Sequence, residues 1–193
     1  MIVAVLLAAG ESRRMGKLKQ LLPLGDKSLV EHCVDNLLAS KVDEVVVVTG
    51  YRDSDVRQAI GSRPVTIVHN ASYQNGMASS IKRGVKEISD TAIACIIALV
   101  DQPRIDSATI DLLIDAYQHD SSMIVIPSHE GKAGHPILID LKLRDEILAM
   151  NPEVGLRQVV SAHIDQITQV EVPNSAILED CDLPEDYERL KTG

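Results

Sequence analysis

The segment that most restricts the fold is Ala92–Val100 (AIACIIALV), an unbroken apolar run stopped by Asp101-Gln102-Pro103. A strand with one face in water alternates apolar and polar residues; a run without alternation is covered on both faces. Ile2–Ala8 and Glu44–Thr49 repeat the pattern, and Val65–Val68, Met123–Ile126 and Ile167–Val172 are shorter versions. Helical periods fall between them. Ser28-Leu29-Val30-Glu31 reads as a capping box, followed by a stripe of Val30, Val34, Leu37 and Leu38. Helices are expected at Asp53–Ile60, from Met77 to about Ile88, and from about Ser107, where Ile110, Leu113, Ile114 and Tyr117 share a face. His135–Ile139 reads as extended, with later helices near Leu141–Ala149, Val154–Ala162 and Asp186–Lys191. This alternation predicts right-handed βαβ units and an α/β domain with a mostly parallel central sheet, Ala92–Val100 at its centre.

With 193 residues, 45% of them apolar, one globular domain is expected. Phe and Trp are absent and Tyr is scarce, so the core is aliphatic and lacks the aromatics of a single-strand stacking platform. A formal net charge of -9 argues against binding a duplex through its phosphates, so no nucleic-acid partner is expected. The leading apolar run is too short to span a membrane and no basic segment precedes it, so no membrane partner is expected. Cys33, Cys95 and Cys181 form no CxxC pair and imply neither a zinc site nor a disulfide framework; a reducing, cytoplasmic setting fits. Cys33 and Cys95 read as core residues, and Cys181, between Asp180 and Asp182, as a candidate for exposure.

Ligands of such sheets bind beyond the carboxyl ends of the strands. The loop after Ala9, Gly50, the His69–Gly76 loop and Asp101 all follow strands directly, and are expected on that one edge. The first loop, Gly10–Lys19, holds Gly10, Gly16, Arg13, Arg14, Lys17 and Lys19, with no acid between Ser12 and Gly25. Its spacing is neither a dinucleotide fingerprint nor a Walker A loop. What it offers is anion-binding backbone with Arg14 and Lys19 in reach, suited to a polyphosphate; a solvated basic turn is the alternative. Asp101 reads as a Mg²⁺ ligand, an ion content with one or two carboxylates plus phosphate oxygens and water, or else as a turn residue. Asp180 or Asp182 would supply a second carboxylate, the alternative being a solvated acidic tail.

The stretch L-L-A-A-G-E-S-R-R-M-G-K-L-K resembles the MobA-like nucleotidyltransferases, whose pattern G-x-S-x-R-M-G-x-x-K is met by Gly10, Ser12, Arg14, Met15, Gly16 and Lys19. Within that superfamily the chain is most similar to the molybdenum cofactor cytidylyltransferases. Asn70 with Gly76-Met77-Ala78-Ser79-Ser80, then Asp101-Gln102-Pro103 and Gly134-His135-Pro136, match later blocks, and the likeness runs from Ile2 to about Leu190. The resemblance implies a three-layer, Rossmann-related GT-A-like fold and Mg²⁺-dependent transfer of CMP from CTP to molybdopterin, releasing pyrophosphate. It implies a mainly nucleotide-binding half, 1–103, and a mainly acceptor-binding half, 104–193. On the nucleotide side it places Leu7, Ala8, Ala9, Gly10, Ser12, Arg14, Gly16, Lys19, Gly50, Asn70, Gly76 and Ser80. Arg14, Lys19 and Asp101 become catalytic, Asp101 and Asp182 metal-binding, and His135 and Arg157 acceptor-binding. Ala9 points to CTP, since guanylyl enzymes typically have Gly there. One departure is Glu153 before Val154-Gly155-Leu156-Arg157, where the family commonly has Asp. A molybdoenzyme or its chaperone is the implied protein partner. Open alternatives are GTP or another phosphorylated acceptor, and a non-catalytic nucleotide- or cofactor-binding accessory protein.

Overall fold

The computed structural model describes residues 1–120 and 122–192. Strand β1 (Ile2–Ala8) is buried along its whole length. Ile2, Ala4, Leu6 and Ala8 enter one core, and Val3, Val5 and Leu7 another. That is why the sequence shows no alternation there: both faces of the pleat meet helices.

A small hairpin, β2 (Pro23–Leu24) and β3 (Lys27–Ser28), leads into α1 (Leu29–Leu38), which the Ser28–Glu31 capping box opens. Cys33 joins the buried stripe of α1, whereas Leu38 is only half-buried. Then come β4 (Glu44–Thr49), α2 (Asp53–Ile60), β5 (Thr66–His69), α3 (Met77–Glu87), β6 (Ala94–Leu99) and α4 (Ser107–His119). The second half adds β7 (Ile124–His129), β8 (Lys132–Ala133), β9 (Ile137–Asp140), α5 (Arg144–Ala149), α6 (Leu156–Ala162), β10 (Ile167–Glu171) and α7 (Pro184–Thr192). The sheet order is β10-β7-β9-β6-β1-β4-β5, with β8 paired to β7. The strand expected at the centre, β6, lies in the middle of that path. Helices α1, α2 and α4 cover one face, and α3, α5 and α6 the other. Packing of α3 on the sheet is close: a Cβ at Gly84 would lie 2.3 Å from Val5 Cγ1.

The sheet is mostly parallel, but β9 runs antiparallel to both β6 and β7. The short connection from β7 to β9 explains this, because a parallel pairing needs a crossover of a dozen or more residues. Among the described residues, no helix is long and apolar enough to cross a membrane.

A third apolar cluster lies apart from the two sheet cores. Met15, Leu22 and Leu29 pack there with Cys181 and Leu190, joined by Leu24 and Tyr187. It fastens the C-terminal segment onto the first loop, and it corrects one expectation: Cys181 is buried, not exposed. Burial pushes its thiol up to about 11.

Candidate active site

The carboxyl ends of β1, β4, β5 and β6 share one edge, as their parallel pairing requires. The loop leaving β1 turns at Ser12, whose φ of 55° lies in the left-handed region that few non-glycine residues occupy. Its hydroxyl accepts from the Lys19 N–H at 3.0 Å and donates to Gln20 Oε1 at 3.2 Å. Gln20 Nε2 in turn donates to the carbonyls of Ala8 and Gly10, at 3.0 and 2.9 Å.

This loop delivers Lys19 to Asp101, which follows β6. Lys19 Nζ lies 2.6 Å from Asp101 Oδ2 and 2.9 Å from Asp182 Oδ1. Arg14 Nη2 reaches the other oxygen of Asp182 at 2.6 Å. Exposure separates the two cations: the Lys19 side chain is 13% exposed and that of Arg14 is 68%. Lys19 is thus an enclosed charge held by two carboxylates, while Arg14 is paired with Asp182 but open to solvent. Arg13 is turned aside onto Glu11. Burial works to lower the pKa of Lys19, but Asp101 and Asp182 more than offset it, so the ammonium is held above the usual lysine range. For Asp182, burial opposes ionisation, and Lys19 and Arg14 overcome it, leaving the carboxyl below its usual range.

The tail is tied to Asp101 by its backbone too, with Cys181 N–H donating to the Asp101 carbonyl at 2.9 Å. Asp180 takes a different place from Asp182. It accepts from Gln102 Nε2 at 2.8 Å, and its pKa is raised by burial and by the charge of Asp101. Among the described residues, Asp101 Oδ1 is buried without a hydrogen-bond partner. Among the described residues, no group of three or more His, Cys, Asp or Glu could by itself hold a metal ion. A cation at Asp101 and Asp182 would therefore complete its shell with phosphate oxygens and water, as Mg²⁺ does. The unpartnered Oδ1 and the carboxylate chemistry fit such an ion.

Three cavities run along this edge. One of about 350 Å³ is strongly charged: Arg13, Arg14 and Lys19 face it together with Glu11 and Asp182, and Gly10, Ser12, Tyr73, Gln74 and Gly76 complete its walls. It shares Gly10, Lys19, Tyr73 and Gly76 with a slot of about 220 Å³ that continues past Leu7, Ala9, Met77, Ser80 and Asp101. Met77 is common to that slot and to a cavity of about 750 Å³ with mostly apolar walls, where His135, Glu153 and Arg157 supply the polar groups. Burial lowers the pKa of His135, with Asp180 and Asp101 pulling the other way.

Most of the residues singled out from the sequence face these cavities: Leu7, Ala9, Gly10, Ser12, Arg14, Lys19, Gly76, Ser80, Asp101 and Asp182 line the first two, and His135 and Arg157 the third. Four others stand behind the walls. Ala8 is buried in the core and offers only its carbonyl, to Gln20. Gly16 closes the short turn Arg13–Met15. Gly50 is buried, with Ala9 O and Tyr73 Cβ each 2.7 Å from where its Cβ would lie; it is glycine so that Tyr73 can pack there. Asn70 donates to Ser79 and Ser80 and accepts from the Ser72 N–H, which fixes the entry to α3. Gln20 and Tyr73 were not legible as site residues. Gln20 sits among cations and leucines with no periodic pattern, and Tyr73 matches none of the motif positions.

Residues 4–167 match the MobA-like NTP transferase domain. Over 187 residues the chain is 27% identical to the molybdenum cofactor cytidylyltransferase of Escherichia coli (strain K12), covering 96% of this chain and 93% of that protein. It is 29% identical over 198 residues to the nicotine blue oxidoreductase of Paenarthrobacter nicotinovorans, covering 98% and 96%. A solved nucleotidyl transferase from Methanothermobacter thermautotroptrophicus superposes with a TM-score of 0.85 at 27% identity, covering 99% of this chain and 96% of that one. The chain belongs to the MobA-like NTP transferase family.

Proposed function

We propose that this nucleotidyltransferase moves CMP from CTP to the phosphate of molybdopterin cofactor, releasing pyrophosphate, with Mg²⁺ as its metal. The observation that carries the reading is the Lys19 ammonium held between Asp101 and Asp182, beside an exposed Arg14 on a glycine-bearing loop. The acceptor draws support from the likeness to a molybdenum cofactor cytidylyltransferase and from the size and apolar walls of the third cavity, which suit a bulky heterocycle. Ala9 in the narrow slot supports CTP.

In this reading an oxygen of the acceptor phosphate attacks the α-phosphorus of CTP. The bond to the bridging oxygen breaks, and its electron pair leaves with pyrophosphate. A phosphate monoester is already ionised near neutral pH, so no general base is required, and the work is positioning and charge stabilisation. Lys19 and Arg14 bind the triphosphate and stabilise charge that builds on the leaving oxygens. Mg²⁺, held by Asp101 and Asp182, would neutralise phosphate charge as both polyanions approach. Leu7, Ala9, Gly10, Ser12, Gly76 and Ser80 contact the nucleotide, and His135 and Arg157 orient the acceptor. The two halves, 1–103 and 104–193, divide nucleotide from acceptor, with exchanges in both directions: Asp182 serves the nucleotide, and Met77, Ala78, Ile81 and Ile97 line the acceptor cavity. A molybdoenzyme or its chaperone receives the product.

The test is pyrophosphate release by the purified protein with Mg²⁺, molybdopterin and either CTP or GTP. Faster release with CTP is expected. Faster release with GTP would overturn the nucleotide assignment, and no release with either would overturn the transfer reading.

A further inference from the structure

The first loop has to present backbone and two cations to a polyphosphate, yet its backbone is strained at Ser12 and it leaves the sheet at Ala8. Two side chains, Gln20 and Ser12, support it from within. Gln20 is fully buried, at 0% exposure, the lowest of the buried polar residues alongside Thr49. It donates both Nε2 hydrogens to carbonyls within the loop, Ala8 at 3.0 Å and Gly10 at 2.9 Å, and accepts from Ser12 Oγ at 3.2 Å. Ser12 Oγ also takes the Lys19 N–H at 3.0 Å. A chain of hydrogen bonds thus runs from the end of β1 through Gln20 and Ser12 to the backbone of Lys19. A buried amide this fully engaged is costly to replace, because each carbonyl left behind loses its donor.

We infer that Gln20 is a positioning residue for nucleotide binding: it clamps the loop in its anion-binding shape and sets the reach of Lys19. This rests on the nucleotidyltransferase reading above. Gln20 borders the narrow slot, but it is fully buried and its amide is committed to Ala8, Gly10 and Ser12, so its effect passes through Ser12, Gly10 and Lys19. The geometry also requires an amide. A carboxylate of the same length would accept from Ser12 but would face the Ala8 and Gly10 carbonyls without a hydrogen to give.

The variants are Gln20→Glu and Gln20→Ala, with Ser12→Ala removing only the middle link. Two readouts are used: calorimetric binding of inorganic tripolyphosphate with Mg²⁺, and the separate KM values for nucleotide and acceptor. Gln20→Glu is expected to weaken tripolyphosphate binding and raise the nucleotide KM at least about tenfold, equivalent to about 1.4 kcal/mol, with the acceptor KM unchanged. Lowering the pH, which protonates the new carboxyl and restores one donor, is expected to recover part of that loss in Gln20→Glu and none in Gln20→Ala. Ser12→Ala is expected to shift the nucleotide KM by a smaller factor, and it carries the test if neither Gln20 variant folds. Unchanged tripolyphosphate affinity in a folded Gln20 variant, or equal rises in both KM values, would overturn the inference. Failure of the wild-type protein to bind tripolyphosphate or nucleotide would instead count against the nucleotidyltransferase reading.

Discussion

Replacing Lys19 by Met keeps most of the side-chain length and removes the charge that Asp101 and Asp182 share. Unit charges about 4 Å apart interact by about 4 kcal/mol at an effective dielectric near 20, and removing one member of a buried pair costs roughly 3–5 kcal/mol. The real cost falls below that range, since Asp182 keeps Arg14 and is 30% exposed. A loss of about 2–3 kcal/mol follows, or about 4–12 °C in melting temperature for a chain of this length. The assay is thermal unfolding in chelator and again in excess Mg²⁺. Lys19→Met is expected to recover part of the loss with Mg²⁺, because Asp101 and Asp182, no longer bridged by the ammonium, can then share a divalent cation through the oxygens it held. The wild type is expected to gain less. Turnover of the variant should fall roughly 10²–10³-fold, the cost of deleting one preorganised group that stabilises developing charge. A variant that melts like the wild type in chelator and gains nothing extra from Mg²⁺ would refute the reasoning, because Nζ would not then be holding the carboxylates together.

Gly84→Ala drives a methyl against Val5 Cγ1 and Val48 Cγ2, 2.3 and 3.0 Å from the added carbon; a loss of about 1–3 kcal/mol is expected in urea unfolding. Asp180→Asn keeps an acceptor for Gln102 and removes a carboxylate whose pKa is raised by burial and by Asp101. A raised carboxyl contributes stability below its unfolded pKa and loses it as pH rises through the folded one. The variant should therefore match the wild type in acid and exceed it near neutral pH, by at most about 1 kcal/mol because solvent still screens a carboxylate only partly withdrawn from water, as melting curves across pH would check. Cys33, Cys95 and Cys181 are all buried, with Cys95 pushed up to about 12 and Cys181 to about 11. Iodoacetamide at neutral pH should label none of them in the native protein and all of them in denaturant.

The layered sheet was readable because burial on both faces erases alternation, and β1 and β6 show this directly. The gathering of the first loop, the His69–Gly76 loop and Asp101 on one edge followed from parallel strands alone. The direction of β9 was not readable: the apolar run Ile137–Ile139 looks the same in either direction, and only the length of its connection decides. The burial of Cys181 depends on Met15, Leu22 and Leu29, far away in the chain, so its acidic neighbours were misleading. Asp182 could be suspected as a carboxylate near Asp101, but its bond to a lysine distant in sequence could not be seen. Gly50 was marked by its place after a strand and Asn70 by the resemblance of its block to the family's, and they serve the site at one remove by seating Tyr73 and the start of α3.

The most direct measurement is pyrophosphate release by purified Asp101→Ala beside the wild type, with Mg²⁺, CTP and molybdopterin. If Asp101 is the carboxylate on which Mg²⁺-dependent transfer depends, the variant stays folded and releases no pyrophosphate above the metal-free background. Near-wild-type release by the folded variant would contradict that assignment and the chemistry built on it.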